Sequence, residues 1–216
     1  MEIYRNGEGS TALPADLCDL LRDVETATIG HIEHLGFLAA SIRPVFPAKI
    51  AGRAVTVAAP GRDGTIIYTA IDLLVPGDVL VIARVDKDDI ACVGGGVATA
   101  ARARGAVAII VDGPCTDVEE IEAVGLPVWC RGVSAKTTNR NHRIGGSINL
   151  PISCGGAAVL PGYAVLADCS GIFAAPAGHM RQLATEAIER QRRSATLRPQ
   201  LAAGRSIFAS TPEERS

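Results

Sequence analysis

A chain of 216 residues can form one large domain or two small ones, and its even composition favours one. Hydrophobic residues make up 48% but aromatic residues only 4%, so the core must be built from Ala, Val, Ile and Leu in close helix–sheet packing. The formal net charge is −2, with no long basic block before the Arg190–Arg193 stretch, which argues against a nucleic-acid surface. No apolar run is long enough for a membrane span, and the N-terminus MEIYRNGEGS has no apolar signal region. Six scattered cysteines without a Cys-x-x-Cys pair suit reduced thiols, so a cytoplasmic protein is expected.

Residues 1–12 read as a loose arm, 13–198 as a single domain and 199–216 as a mobile tail. Leu17 to Leu21 and Val24 to Leu35 suggest two short helices before Gly36. Arg53 to Ala59 reads as a strand, Thr65 to Leu74 as a helix, and Pro76-Gly77-Asp78 as a turn into a strand over Val79 to Ala83. A glycine triplet, Gly94 to Gly96, then opens a small-residue helix over Val97 to Arg104. The apolar strand Val107 to Val111 follows, and a tight turn delivers Asp112, Thr116 and Asp117 before a short helix capped by the threonine. From Gly146 the pattern changes to short strands at Ser147–Ile152, Ala157–Leu160, Tyr163–Ala167 and Gly171–Ala174. Pro176 starts a last helix to about Ser194, with His179, Leu183, Ala187 and Ile188 on one face. This order predicts an α/β sandwich with a parallel and an antiparallel portion, neither purely doubly wound nor a barrel.

The chemistry concentrates in the central unit, where a strand end and a helix N-terminus can hold an anion and a metal ion together. Thr99 stands where a dinucleotide fingerprint needs its last glycine, and no Gly-Lys-Ser/Thr ending makes a phosphate loop. The triplet therefore serves either close backbone approach to a carboxylate or tight helix–sheet packing. Asp112 and Asp117 are each open to a structural role, in the turn or against the helix dipole. A hard cation needs only one or two such carboxylates. His31 and His34 have i, i+3 spacing on one helical face, without a third ligand nearby, and His179 reads as packed. His142 lies in the basic polar loop from Asn139 to Arg143, open to an acidic substrate or to solvent. Cys115 has no histidine close in sequence to activate it.

Several short runs then coincide in order and spacing. They include Ile42-Arg43-Pro44, Ile50–Ala54, Pro76–Leu80, Ala98–Ala101, Asp112-Gly113, Asp117, Arg131-Gly132, Pro161-Gly162, Ala167-Asp168 and Pro176. Over about residues 24–192 the chain resembles the RraA-like proteins, which include 4-hydroxy-4-methyl-2-oxoglutarate aldolases and the regulator of ribonuclease E activity. The resemblance implies a single-domain α/β sandwich of the phosphohistidine-swivelling type with mixed sheets. It also implies assembly as a homotrimer or hexamer, with sites near subunit boundaries. The aldolase members are lyases that use Mg²⁺ or Mn²⁺, bind the pyruvoyl part of a 2-oxo acid to the metal and to loop amides, and cleave through an enolate.

Their signature is an acid, twenty positions, then Arg-Asp. Carried over, Asp117 is the metal residue, Thr116 replaces the arginine and Gly95 replaces the acid. The amides of Gly95, Gly96 and Val97 would hold substrate oxygens, with Thr116 as a neutral partner. Arg131 or the Arg140–Arg143 loop is left to bring positive charge. The resemblance thus implies a divergent lyase of the aldolase or decarboxylase type acting on a small 2-oxo carboxylic acid. Two alternatives stay open: a non-catalytic regulatory or binding protein, and a tautomerase or hydratase using the same site. Neither nucleic acid nor membrane is expected as a partner.

Overall fold

The computed structural model describes residues 4–86 and 88–208. In β4 (Asp78–Arg84) every residue is buried, with Val79, Val81 and Ala83 on one face and Leu80 and Ile82 on the other. β5 (Ala108–Asp112) repeats the alternation, Ile110 against Ile109 and Val111. Strands apolar on both faces need a layer on each side. β3 (Ile50–Ala59), β4, β5 and β6 (Val128–Cys130) lie parallel in that order. Their connections α3 (Thr65–Ile71), α4 (Gly95–Ala103) and α5 (Val118–Val124) cover one face, packing Ile66, Ile67, Ala98, Ala101 and Ile121 into the core of Leu80, Ile82, Ile109 and Val111. On the opposite face the hairpin of β8 (Ile152–Cys154) and β9 (Ala157–Val159) joins Val79, Val81, Ile110 and Trp129.

β3 takes two further partners on its other edge. Its first residues pair antiparallel with β10 (Ala164–Ala167), which turns into β11 (Ile172–Ala175), and its later ones with β7 (Gly146–Ile148). β2 (Arg43–Pro44) lies antiparallel to β6 at the far edge. α1 (Ala15–Arg22), α2 (Thr26–Ile29) and α6 (Ala177–Ala202) bury Leu17, Leu21, Ile29, Met180, Leu183, Ala184 and Ala187 against Leu166, Phe173 and Ala175. The chain is therefore the mixed α/β sandwich that its pattern predicts.

The departures have local causes. Val24 to Leu35 does not form a second full helix. Asp168 accepts the backbone N–H and hydroxyl of Thr26 at 2.8 and 2.6 Å and starts a single turn. Glu33 then turns back to accept the N–H groups of His34 and Leu35, satisfying that backbone in a loop. His31 and His34 consequently share no helical face. The buried stripe of α6 begins at Met180, leaving His179 exposed with Nε2 3.7 Å from Glu33. α6 also runs into the expected tail, through Pro199 to Ala202, while residues 209–216 lie outside the described residues. In the expected loose arm, β1 (Tyr4–Asn6) pairs parallel with β7, and residues 1–3 lie outside the described residues.

The loops after the parallel strands converge on the C-terminal edge of the sheet, where open α/β sheets build their sites. After β6 no helix follows; residues 131–144 cross back over those loops and lead into β7. Cys115 N–H donates to Gly132 O and Ser134 N–H to Cys115 O, both at 2.9 Å. Ala91 N–H donates to Lys136 O at 2.8 Å and Thr138 N–H to Ala91 O at 3.0 Å. Asn139 N–H then meets Arg62 O at 2.8 Å, and Gly64 N–H meets Asn139 O at 2.7 Å. Asp63, 2% exposed, pins the end of this strap. One carboxylate oxygen accepts the N–H groups of Arg143 and Ile144 at 2.7 and 3.2 Å, and the other accepts the N–H and hydroxyl of Thr65 at 3.0 and 2.5 Å.

Burial alone would push the Asp63 carboxyl up, but these hydrogen bonds outweigh it and hold it well below the usual carboxylate range. A carboxyl whose folded-state pKa is depressed contributes stability above its unfolded value, 3.8, and loses it as pH falls toward the folded one. Asp63→Asn is expected to lower stability by about 1.5–3 kcal/mol in urea unfolding at neutral pH. The gap to wild type should narrow as the pH is taken below about 4.

Candidate functional site

β5 ends on Asp112, and Gly113-Pro114 turns the chain so that Thr116 N–H reaches Val93 O at 2.9 Å. Asp117 follows in the left-handed region, φ 53° and ψ 46°, which aspartate tolerates better than most residues. Its carboxylate faces the first turn of α4, with Oδ2 3.3 Å from Gly95 N and Oδ1 3.2 Å from the Thr116 hydroxyl. Thr116 is therefore not the cap expected for α5. Asp117 occupies that position, and its side chain is turned toward α4 instead of its own helix.

The glycine triplet divides between the two roles open to it. A Cβ on Gly94 would stand 2.4 Å from Asp117 Oδ2, and one on Gly95 would stand 2.0 Å from Glu120 Oε2 and 2.6 Å from Glu120 Cβ. Both glycines are buried, and tight packing against α5 and the turn before it requires them. Gly96 is exposed, and the atom nearest its missing Cβ is the Tyr68 hydroxyl at 3.6 Å. Backbone is thus laid open to a ligand at Gly96, while the Gly95 amide already faces Asp117. The Glu120 side chain, reaching over from α5, fills the space above Gly95.

Around this turn lies a cleft of about 210 Å³. Gly94, Gly96, Val97, Thr116 and Asp117 form one wall, and Tyr68, Thr137, Thr138 and Arg140 form another. The Arg140 guanidinium carbon lies 5.4 Å from the centroid of the Tyr68 ring. Of the residues expected at the site, Gly96, Val97, Thr116 and Asp117 come together, and Gly95 lies behind them. Arg131 is elsewhere: Nε donates to Asp112 Oδ1 and Nη1 to the Ser41 hydroxyl, beside a separate cleft of about 530 Å³ that Asp88, Asp89 and Lys136 also line. The other Asp112 oxygen accepts Gly155 N–H at 2.8 Å, so Asp112 ties the end of β5 to the β8–β9 hairpin.

Tyr68, Thr137 and Thr138 are the wall residues that sequence reasoning missed. Asp63-Gly64-Thr65 is a readable helix start, and Tyr68 lies one turn further on. Nothing local foretells that the strap brings 137–140 back to that helix. Cys115 is fully buried, with its sulfur 3.4 Å from that of Cys130. The Cys130 thiol and burial push its own thiol up, and it packs as a core residue.

Among the described residues no group of three or more His, Cys, Asp or Glu side chains could enclose a metal ion. A closed zinc-type site is not built here. One exposed carboxylate beside a hydroxyl, opening on a roomy polar cleft, fits a hard cation that keeps most of its waters.

Residues 14–174 match the model of the RraA-like family, described as Aldolase/RraA. A Halalkalibacterium halodurans protein named "Putative 4-hydroxy-4-methyl-2-oxoglutarate aldolase" is 29% identical over 178 residues, spanning 82% of this chain and 84% of that protein. A Thermus thermophilus protein of the same name is 28% identical over 129 residues, 60% of this chain and 77% of its own length. Among solved structures, Streptomyces coelicolor RraAS2, from the RNase ES inhibitor RraA protein family, shares the fold with a TM-score of 0.76 at 23% identity, over 89% of this chain and 98% of that one. The RNA-processing inhibitor RraA from Thermus thermophilis has a TM-score of 0.59 at 24% identity, over 77% and 94%. At these identities the structures speak to the fold alone.

The division of the triplet is open to test. Gly94→Ala and Gly95→Ala are each expected to cost about 1–3 kcal/mol by overpacking, whereas Gly96→Ala should unfold within about 1 kcal/mol of wild type. Chemical denaturation of the three variants measures the pattern.

Proposed function

The chain belongs to the RraA-like family, and on that premise we propose that it is a divalent-metal-dependent lyase of the aldolase or decarboxylase type acting on a small 2-oxo carboxylic acid. The observation that carries this reading is one cleft in which an exposed carboxylate, Asp117, faces the open first turn of α4. The names of the two sequence relatives support the lyase direction.

Asp117 would hold Mg²⁺ or Mn²⁺, with the Thr116 hydroxyl alongside. A divalent cation supplies positive charge opposite an oxygen that becomes negative as a carbon–carbon bond breaks. The N–H groups of Gly96 and Val97 lie in the first turn of α4 and have no intrahelical carbonyl to bind. Their direction and the helix dipole suit a carboxylate or 2-oxo oxygen. Thr116 contributes one neutral hydrogen bond, where an arginine would contribute a charged fork. Glu120 offers a carboxylate from α5 where Gly95 has no side chain, so an acid remains beside the turn.

A second reading, a regulatory protein without catalysis, draws on Thr116 and Gly95, which leave the charged fork and the acid of the aldolase signature unfilled. Metal binding separates the two. Asn tolerates the left-handed backbone as well as Asp does, so Asp117→Asn should keep the fold. Wild type is expected to gain thermal stability with Mg²⁺ or Mn²⁺, and Asp117→Asn to show no gain while melting near wild type without metal. An equal metal response in both proteins would remove Asp117 from the site.

A further inference from the structure

We infer that Arg140, stacked on Tyr68 and carried by the strap that Asp63 pins, is the carboxylate anchor of this cleft. The inference deepens the reading of the site as one for a 2-oxo acid and rests on it. Arg140 is the one Lys or Arg among the described residues lining the cleft. Of the other arginines open to this part, Arg131 pairs with Asp112 beside a different cleft and Arg143 is not among the residues lining this one. Arg140 forms no ion pair among the described residues. Its guanidinium lies over the Tyr68 ring, a contact that orients the cation without neutralising it. A planar guanidinium over a ring can still direct its edge N–H groups at a carboxylate.

Tyr68 links this cation to the rest of the site. Its ring lies under Arg140, and its hydroxyl lies 3.6 Å from where a Gly96 Cβ would be. The arginine platform and the exposed amide of α4 therefore belong to one surface. The backbone under Arg140 is held on both sides. Asn139 N–H and O bond Arg62 and Gly64, and the N–H groups of Arg143 and Ile144 bond the buried Asp63 carboxylate. Asp63 also binds Thr65 at the start of α3, the helix that carries Tyr68, so one buried group sets both halves of the platform. A ligand that meets Arg140, the Gly96 amide and Asp117 together must combine a carboxylate with a neighbouring oxygen donor. The cleft, about 210 Å³, has room for a small acid of this kind.

Oxalate, with two adjacent carboxylates, is a suitable probe. Calorimetric titration of oxalate in the presence of Mg²⁺ would compare wild type, Arg140→Gln, Arg140→Lys, Tyr68→Leu and Arg131→Gln. Arg140→Gln is expected to weaken oxalate binding about ten- to a hundredfold, with Mg²⁺ affinity measured without oxalate unchanged. Arg140→Lys should recover only part of the loss, since an ammonium cannot present the fork. Tyr68→Leu should weaken binding as well, and Arg131→Gln should bind like wild type. Oxalate affinity unaltered in Arg140→Gln, with wild type binding, would overturn the anchor and leave the 2-oxo acid reading standing. A wild type that binds Mg²⁺ but no oxalate would overturn both.

Discussion

The buried carboxylate of Asp63 is the contact on which the C-terminal edge of the sheet depends. It joins the loop after β3, the first turn of α3 and the far end of the strap, and the bonds of Asn139 to Arg62 and Gly64 hold the same segments together beside it. Removing a carboxylate from water is costly, and its acceptor capacity must be met inside the protein. Two backbone amides from residues 143 and 144, with the amide and hydroxyl of Thr65, meet it here. Because the strap also bonds the loops after β4 and β5 on its way, its anchored end fixes the outer wall of the cleft. The parallel strands supply a rigid base, and the strap joins the three loops after β3, β4 and β5 into one site.

Within that frame the chemistry is set by how little side chain the triplet carries. Gly94 and Gly95 let Asp117 and Glu120 approach the start of α4 more closely than any Cβ would allow. Two carboxylates thus meet the positive end of a helix, a favourable arrangement electrostatically. The positive charge of the opposite wall comes from a different part of the chain, on the strap. On the proposed reading, such a site would keep a cation-binding acid and an oxygen-binding backbone, with its guanidinium on the facing wall and not in the turn.

Much of this was legible in the sequence. The buried parallel strands announced themselves as apolar runs, and the changed spacing after Gly146 correctly signalled antiparallel strands. Asp117, Thr116, Gly96 and Val97 fall together because a strand, a turn and a helix start place them so by local geometry. What escaped was long-range. Asn139 to Arg143 reads as a polar loop, but the long-range bonds of Asn139 to Arg62 and Gly64 and of residues 143 and 144 to Asp63 bring Arg140 to the cleft. Arg131 looked equally available until Asp112, at the end of the neighbouring strand, took its charge. Glu120 over Gly95 was likewise unreadable, since it depends on how closely α5 packs on α4. The helix before Gly36 stops after the single turn that Asp168 starts, because Glu33 offers the N–H groups of His34 and Leu35 another partner.

The central claim is that this cleft breaks a carbon–carbon bond in a small 2-oxo acid with a divalent cation. The most direct measurement is release of pyruvate or CO₂ from oxaloacetate and 4-hydroxy-4-methyl-2-oxoglutarate, followed with Mg²⁺ or Mn²⁺ and again after chelation. Turnover that appears with metal, disappears with chelator and is lost in Asp117→Asn is the expected result. A correctly folded protein that releases neither product from either acid at any metal concentration would contradict it.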